Sequence, residues 1–383
     1  MEYSNRAGSF VQQNSGYKAF VPSPLPPQPP INLDNEMLAL LSKADRCLGR
    51  LDGITEILPN PDLFVAMYVK KEALLSSQIE GTQASLIDVL NADEVSGSEK
   101  EKSVEEVVNY VQAMNYGLKR LDELPLSLRL IREIHEILLT DVRGSEKSPG
   151  EFRRTQNWLG ASGSTLSTAT FVPPPIDEMT NAMYNLEEFF YKEEYLPPLI
   201  KIGLIHAQFE TIHPFLDGNG RMGRLLITFW LCQQQILSKP LLYLSYYFKR
   251  NRTEYYDRLM DIRTKGDWEN WLKFFLKGMA EISLEATDTA KSILSIKEEH
   301  SHIINASVSN PANGLKLLEA LFEHPMITVN GAKDILKVSY PTASSLITDF
   351  CSLGILTDNS AMQRNRKYTY QEYVQLLEAG TDI

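Results

Sequence analysis

The chain has 383 residues, 43% of them hydrophobic, and a formal net charge of −11 at pH 7. That length is enough for two or three domains with a sizeable core, and the acidic balance argues against a general nucleic-acid binder. Cys47, Cys232 and Cys351 are far apart with no metal-ligand spacing, so they read as reduced thiols.

No basic-then-apolar leader opens the sequence, and no apolar run is long enough to span a bilayer. The expectation is a cytoplasmic protein with no membrane contact. Residues 1–35 are polar and then proline-rich, from Val21 to Pro30. They predict an extended arm of polyproline-II character, either an SH3-type ligand or a strap on the surface.

From Asn35 to about Leu121 the pattern is helical. Asn60-Pro61 reads as an N-cap followed by proline at the first helical position. The helix it opens, over 60–81, carries Phe64, Met67, Tyr68, Leu74, Leu75 and Ile79, and Gly81 is its C-cap. Its last residues read Ser76-Ser77-Gln78-Ile79-Glu80-Gly81. Residues 88–103 are acidic, with Ser and Gly, and predict a loop. Val104, Val107, Val108, Val111, Met114 and Leu118 then predict a helix.

The next helix should begin near Ser127 and run through Leu139. His135 lies in it beside Ile131, Ile134, Leu138 and Leu139, and is read as a packed histidine. Ser148-Pro-Gly-Glu-Phe-Arg-Arg-Thr-Gln-Asn-Trp-Leu-Gly160 and Thr168-Ala-Thr-Phe-Val-Pro-Pro174 follow.

The chemistry concentrates in His213-Pro-Phe-Leu-Asp-Gly-Asn-Gly-Arg-Met-Gly-Arg224. Apolar runs on both sides place it as a loop between two buried helices, with Pro214 biasing His213 away from a continuing helix. Gly218 and Gly220 let the backbone approach a ligand. The amides at the start of the second helix form an anion nest. Arg221 and Arg224 share a helix face and can fork onto phosphate. Asp217 suits Mg²⁺ bridging phosphates, and His213 is the available general base. The plainer alternative is a helix-capping turn with surface arginines. His206, seven residues before His213, invites a metal pair, but no third ligand is near and a satisfied helix histidine is the better reading.

This window resembles the Fic family signature, His-Pro-Phe-x-(Asp/Glu)-Gly-Asn-Gly-Arg-x-x-Arg, at every fixed position. The resemblance implies a mainly α fold: a helical bundle with a small β-hairpin flap. It implies a protein adenylyltransferase that moves AMP from ATP to a Ser, Thr or Tyr hydroxyl of a target protein or of itself, releasing pyrophosphate. In that reading His213 deprotonates the hydroxyl and Asp217 holds Mg²⁺. Gly218, Asn219 and Gly220 cradle the α- and β-phosphates. Arg221 and Arg224 hold the outer ones, Arg224 taking the γ-phosphate. Ser76 to Gly81 resembles the family's inhibitory motif, (Ser/Thr)-x-x-x-Glu-(Gly/Asn), which would pair Glu80 with Arg224. The 148–160 and 168–174 stretches resemble the flap, whose Thr168, Ala169, Thr170 and Phe171 would hold a target's main chain by strand addition. Arg153 and Asn157 are read as structural.

Tyr255-Tyr256 resembles a family feature near the nucleobase and ribose; packing is the alternative. Arg263 stands where some members carry a base-contacting asparagine, which leaves the adenine contact open. Residues 267–300 predict further helices closing the module. A boundary falls near 307–313. Beyond it, helical runs over 327–336 and 341–353 and a hairpin from Ile355 to Tyr370 resemble a winged helix. Its recognition-helix candidate has no Lys or Arg, and only Arg364, Arg366 and Lys367 are basic on the wing. Protein–protein or intramolecular contact is therefore favoured over DNA.

The expected organisation is an arm (1–35), an N-terminal helical region (36–125) with an inhibitory helix (60–81), a catalytic domain (126–300) and a winged-helix-like domain (308–383). A homo-oligomer stays open. So do the alternatives of a DNA-binding regulator that only senses nucleotide, and an enzyme that removes AMP or transfers another phosphate-containing group.

Overall fold

The computed structural model describes residues 5–57, 61–91, 99–161, 163–192, 196–358 and 366–381. The arm is more ordered than its prolines imply. Strands β1 (Gly8–Gln12) and β2 (Lys18–Pro22) form an antiparallel hairpin with Gly8 opposite Pro22. Apolar Ala19 and Phe20 are fully buried, so hydrophobic burial fixes the strand before the prolines begin. The arm is a strap: buried Arg6 forks onto Glu269 at 2.9–3.0 Å and donates to the Pro29 carbonyl.

Four helices follow, α1 (Asn35–Ile57), α2 (Pro61–Ile79), α3 (Leu86–Leu90) and α4 (Glu99–Arg120). Asn60, the expected cap of α2, lies outside the described residues. Helix α2 ends in a turn in which Glu80 and Gly81 donate back to Ser77 and Gln78, and Gly81 takes φ +96°. Of the loop expected over 88–103, residues 92–98 lie outside the described residues, and the described flanks are mostly helical instead. Helix α3 starts at Leu86 under a capping box between Ser85 and Asp88, and α4 starts at Glu99. Ser-x-x-Asp ahead of an apolar pair satisfies two amide donors, which outweighs the acidic composition.

Helices α5 (Leu128–Leu138), α6 (Ile176–Tyr191), α7 (Pro198–Ile212) and α8 (Asn219–Gln233) build the central bundle. Ser127 caps α5 as expected. Every residue from Leu199 to Ile212 is buried, which is why α7 reads as apolar all round. The flap is a hairpin in minimal form, a single bridge in which Leu159 and Phe171 exchange N–H···O bonds of 2.8 and 3.1 Å. Pro173 and Pro174 have no N–H to extend the ladder. Instead the Phe20 N–H donates to the Val172 carbonyl at 2.9 Å, so the arm continues the flap.

Helices α9 (Ser245–Arg250) and α10 (Arg252–Lys265) lead into α11 (Trp268–Ser307), one helix of 40 residues where several shorter ones were expected. It packs along α1 and α7. Trp271 donates to the Gly203 carbonyl at 2.9 Å, and a Cβ on Gly203 would meet Leu272 at 2.8 Å. Glycine there sets the spacing of the two helices.

At the expected boundary, 307–313, only residues 308–310 separate α11 from α12 (Pro311–Glu323), which packs on α11 and α2. Strand β3 (Met326–Thr328), α13 (Val329–Leu336), α14 (Tyr340–Ser352), β4 (Thr357–Asp358), β5 (Lys367–Thr369) and α15 (Gln371–Glu378) complete the chain. The strands form an antiparallel sheet in the order β3-β5-β4. The run from Ile327 is therefore strand first and helix from Val329. Arg364 lies outside the described residues. Among the described residues no helix is long and apolar enough to cross a membrane.

Candidate active site

The signature window joins α7 to α8. His213 caps α7 in the left-handed region (φ 51°), with its N–H on the Phe209 carbonyl at 2.9 Å. A non-glycine residue there is strained, and surrounding bonds hold it. Arg153 and Asn157 both donate to the His213 carbonyl, at 3.0 and 3.2 Å. Asn157 also reaches the Phe215 carbonyl, and Arg153 the Pro174 carbonyl. Their expected structural role is their observed one.

The His213 Nδ1 is buried without a hydrogen-bond partner. Burial, with the nearby charges of Arg263 and Arg153, pulls its pKa down to about 4. The imidazole is neutral at pH 7 and able to accept a proton.

Gly218 (φ 75°) is the N-cap of α8. The first-turn amides of Asn219, Gly220 and Arg221 have no intrahelical acceptor by helix geometry. The Asn219 side chain is not part of a cradle. Its amide exchanges two 2.9 Å bonds with the Phe215 backbone, because a tight loop needs that brace. Only its backbone is turned to a ligand's side.

Arg224 is 2% exposed and Glu80 30% exposed on their side chains, and they meet at 2.8 Å. Ser76, fully buried, holds Arg224 through Oγ at 2.8 Å and its carbonyl at 3.0 Å. Burial raises the Glu80 pKa, but the charge and hydrogen bond of Arg224, with Arg221 and His213 behind, bring it below the usual carboxylate value. A Cβ on Gly220 would stand 2.2 Å from Glu80 Oε1. The missing side chain at 220 is therefore what lets the carboxylate lie against the first turn of α8. Gly81 supplies the positive φ that turns the chain after Glu80.

Arg221 is the anomaly. It is 1% exposed, and its Nε, NH1 and NH2 have no hydrogen-bond partner. The nearest carboxylate oxygens, of Glu106 and Asp217, are both 3.9 Å away. Burying an unbonded guanidinium costs several kcal/mol unless an anion completes it. Glu106 itself takes the Thr82 hydroxyl at 2.6 Å and lies 3.5 Å from Arg143.

Asp217 accepts Lys147 Nζ at 3.0 Å and the Gly218 N–H at 2.7 Å. Burial raises its pKa, but Lys147 and the Gly218 N–H lower it further, leaving it below the ordinary value. Among the described residues no three His, Cys, Asp or Glu side chains cluster for a metal. The donor set is one carboxylate already holding a cation. That fits a hard divalent ion completed by phosphate oxygens and water, not an all-protein cage.

His206 is satisfied, as expected. Its Nδ1–H donates to the Gly223 carbonyl and Nε2 accepts the Tyr255 hydroxyl, both at 2.9 Å. Tyr255 is buried and its hydroxyl is spent on His206, which favours the packing alternative for it. Tyr256 is 42% exposed, and burial together with nearby Glu80 raises its phenol. It stands beside the Glu80–Arg224 pair, with its ring accessible. Arg263 is buried, donates to Thr211 and the Glu210 carbonyl, and sits 4.0 Å over the Phe171 ring. It pins the flap. Phe171 is buried, while Thr168 and Thr170 are exposed and Ala169 is half-buried.

Residues 38–119 match the model for the Fic/DOC family N-terminal region, and 125–231 the Fic/DOC family model, which spans the whole signature loop. The chain carries a Fic domain preceded by the Fic/DOC family N-terminal region. Two curated relatives named protein adenylyltransferase Fic, from Drosophila grimshawi and Drosophila melanogaster, are 29% and 27% identical over 217 residues. Those matches cover 54% of this chain, but only 41% and 40% of the relatives' own length. A solved Fic family protein from Desulfovibrio desulfuricans G20 superposes with a TM-score of 0.58 at 19% identity, over 89% of this chain and 98% of that one. Fic-1 from C. elegans gives 0.50 at 21% identity, over 68% and 74%. These structures share the fold. The Fic residues that sequence reasoning missed are Lys147 and Glu106, which meet the site only through long-range folding.

Proposed function

We propose that this Fic protein is a self-restrained protein adenylyltransferase. The observation that carries the reading is the buried, unbonded Arg221 beside Arg224 and the free first-turn amides of α8. This is a concentration of donors that a triphosphate satisfies. The α- and β-phosphates lie on the Gly218–Arg221 backbone, and the γ-phosphate takes the Arg224 fork that Glu80 now holds. Mg²⁺ on Asp217 neutralises phosphate charge when bound.

The target hydroxyl gives its proton to neutral His213 and bonds to the α-phosphorus as the bond to the β-phosphate oxygen breaks. Pyrophosphate leaves. The exposed Thr168 and Thr170 edge presents backbone for strand addition by a target main chain, and Tyr256 offers a ring face beside the nucleotide. The chain itself is a candidate substrate.

The elements from α12 to β5 have the order of a winged helix. Helix α14 carries no Lys or Arg, and the basic wing residues among the described ones are engaged: Arg366 with Asp358 at 3.1 Å and Lys367 with Asn91 at 2.7 Å. These features support an intramolecular or protein-facing role over DNA binding.

The test is transfer of label from ATP marked at the α-phosphate, onto the protein and onto a cell lysate. Label that vanishes in a Glu80→Gly, His213→Ala double variant, while Glu80→Gly alone labels strongly, supports the reading. ATP binding without label in any variant overturns it.

A further inference from the structure

His135 takes no part in the phosphate chemistry above, yet both of its ring nitrogens are spent on the loops that carry it. The Gly150 N–H donates to Nδ1 at 3.0 Å. An amide N–H can only donate, so Nδ1 bears no proton and the neutral ring carries its one proton on Nε2. That Nε2–H donates to the Asp217 carbonyl at 2.9 Å. The ring also lies flat on Phe215, with centroids 3.6 Å apart and planes 4° apart. Gly218 closes over it: a Cβ there would stand 3.2 Å from Nε2. The residue is fully buried, and desolvation keeps the ring in its neutral form.

A histidine that only filled space would need shape alone. This one needs an acceptor and a donor on opposite sides of a flat ring, and it joins segments 15 and 82 residues away in sequence. One segment carries Gly150 and leads to Arg153 and Asn157, which hold the His213 carbonyl. The other is the Asp217–Gly218 turn, from which the first amides of α8 project.

We infer that His135 is a positioning residue for nucleotide binding, which fixes the Asp217–Gly218 turn and so aims the α8 amides. The inference rests on the adenylyltransferase reading, in which those amides meet phosphate.

Two substitutions separate the bonds. A glutamine amide reaches the Nε2 position and restores the donor to Asp217. An asparagine amide reaches the Nδ1 position and restores only the acceptor for Gly150. Both are placed in the Glu80→Gly background, and binding of a non-hydrolysable ATP analogue is measured by calorimetry alongside the melting temperature. The expected result is about a tenfold loss of affinity in His135→Asn and less than about a threefold loss in His135→Gln, the size of one buried hydrogen bond. The two melting temperatures fall together.

Parental affinity in both variants overturns the inference, as does a loss that merely tracks melting temperature. Should His135→Asn not fold, His135→Gln decides alone. Retained affinity with faster hydrogen exchange at Gly150 supports the inference, and collapsed affinity overturns it. A Glu80→Gly parent that binds no nucleotide overturns the adenylyltransferase reading and this assignment with it. Parental or equal affinity of the two variants on a binding parent overturns this assignment only.

Discussion

Replacing Glu80 by glycine should raise ATP affinity by about 10- to 150-fold. The carboxylate and the Arg224 guanidinium are 2.8 Å apart, a gross attraction of roughly 6 kcal/mol at an effective dielectric near 20. Much of this is offset by taking the pair out of water, Arg224 almost completely. The net worth of a hydrogen bond to a charged group is about 1.5–3 kcal/mol, which is the stated range as an affinity ratio. Arg224 itself should stay in place, because both Ser76 bonds survive the substitution. The gain therefore is not consumed by reordering the side chain. Calorimetric titration with ATP and Mg²⁺ measures the affinity, and α-phosphate labelling measures the transfer. Glu80→Gln, which keeps the shape and loses the charge, should fall between parent and glycine variant. Equal ATP affinity in all three proteins would falsify the competition on which the reading depends.

Arg221→Met should abolish measurable ATP binding, since an apolar side chain of similar length removes the buried guanidinium that a phosphate would complete; calorimetric affinity equal to the parent's counts against the anion-site argument. Lys147→Met should tighten Mn²⁺ binding by about two- to fivefold, the size of a half-exposed ion pair removed from Asp217, and a Lys147→Met, Asp217→Asn double variant should lose the gain; calorimetry with Mn²⁺ alone reads both. In the Glu80→Gly background, kcat/KM should hold level from pH 8 down through the ordinary histidine value of 6.5 and fall only near the His213 value of about 4, because the base works unprotonated and activity is lost as pH drops through its pKa; an acid limb centred at 6.5 would assign the titration to another group.

The signature loop was legible because its parts are neighbours in sequence. The Pro214 break, the Gly218 turn and the two arginines one turn apart need no tertiary information. The Glu80–Arg224 pair spans 144 residues and was reachable only through a motif that resembles other family members. Nothing local announces Lys147 on Asp217 or Glu106 near Arg221, since each depends on how a loop or a distant helix lies over α8. The side-chain partners of Asn219 and Tyr255 are hidden for the opposite reason. A motif gives residue types in order, while the bond that uses up the side chain comes from the fold. Helix α3 was readable from Ser85 and Asp88, but composition was weighed above the capping pattern. In the arm, ten residues of proline-rich sequence mask the apolar Ala19 and Phe20 just ahead of them, whose burial makes the strand.

Glu80 Oε1 fills the space that a Cβ at Gly220 would take, and Glu80 is bound to the same chain as the arginine it neutralises. In the proposed reading it acts as a tethered competitor, present at a local concentration that dilution leaves unchanged. Its grip is overcome by more nucleotide or by a shift of the α2 end, and that end is not free to drift. Gln78, two residues before Glu80, donates to the carbonyls of Ala84 and Thr381 and accepts from Lys249. In that reading the threshold at which nucleotide wins is set partly by the contact that Thr381 makes with Gln78.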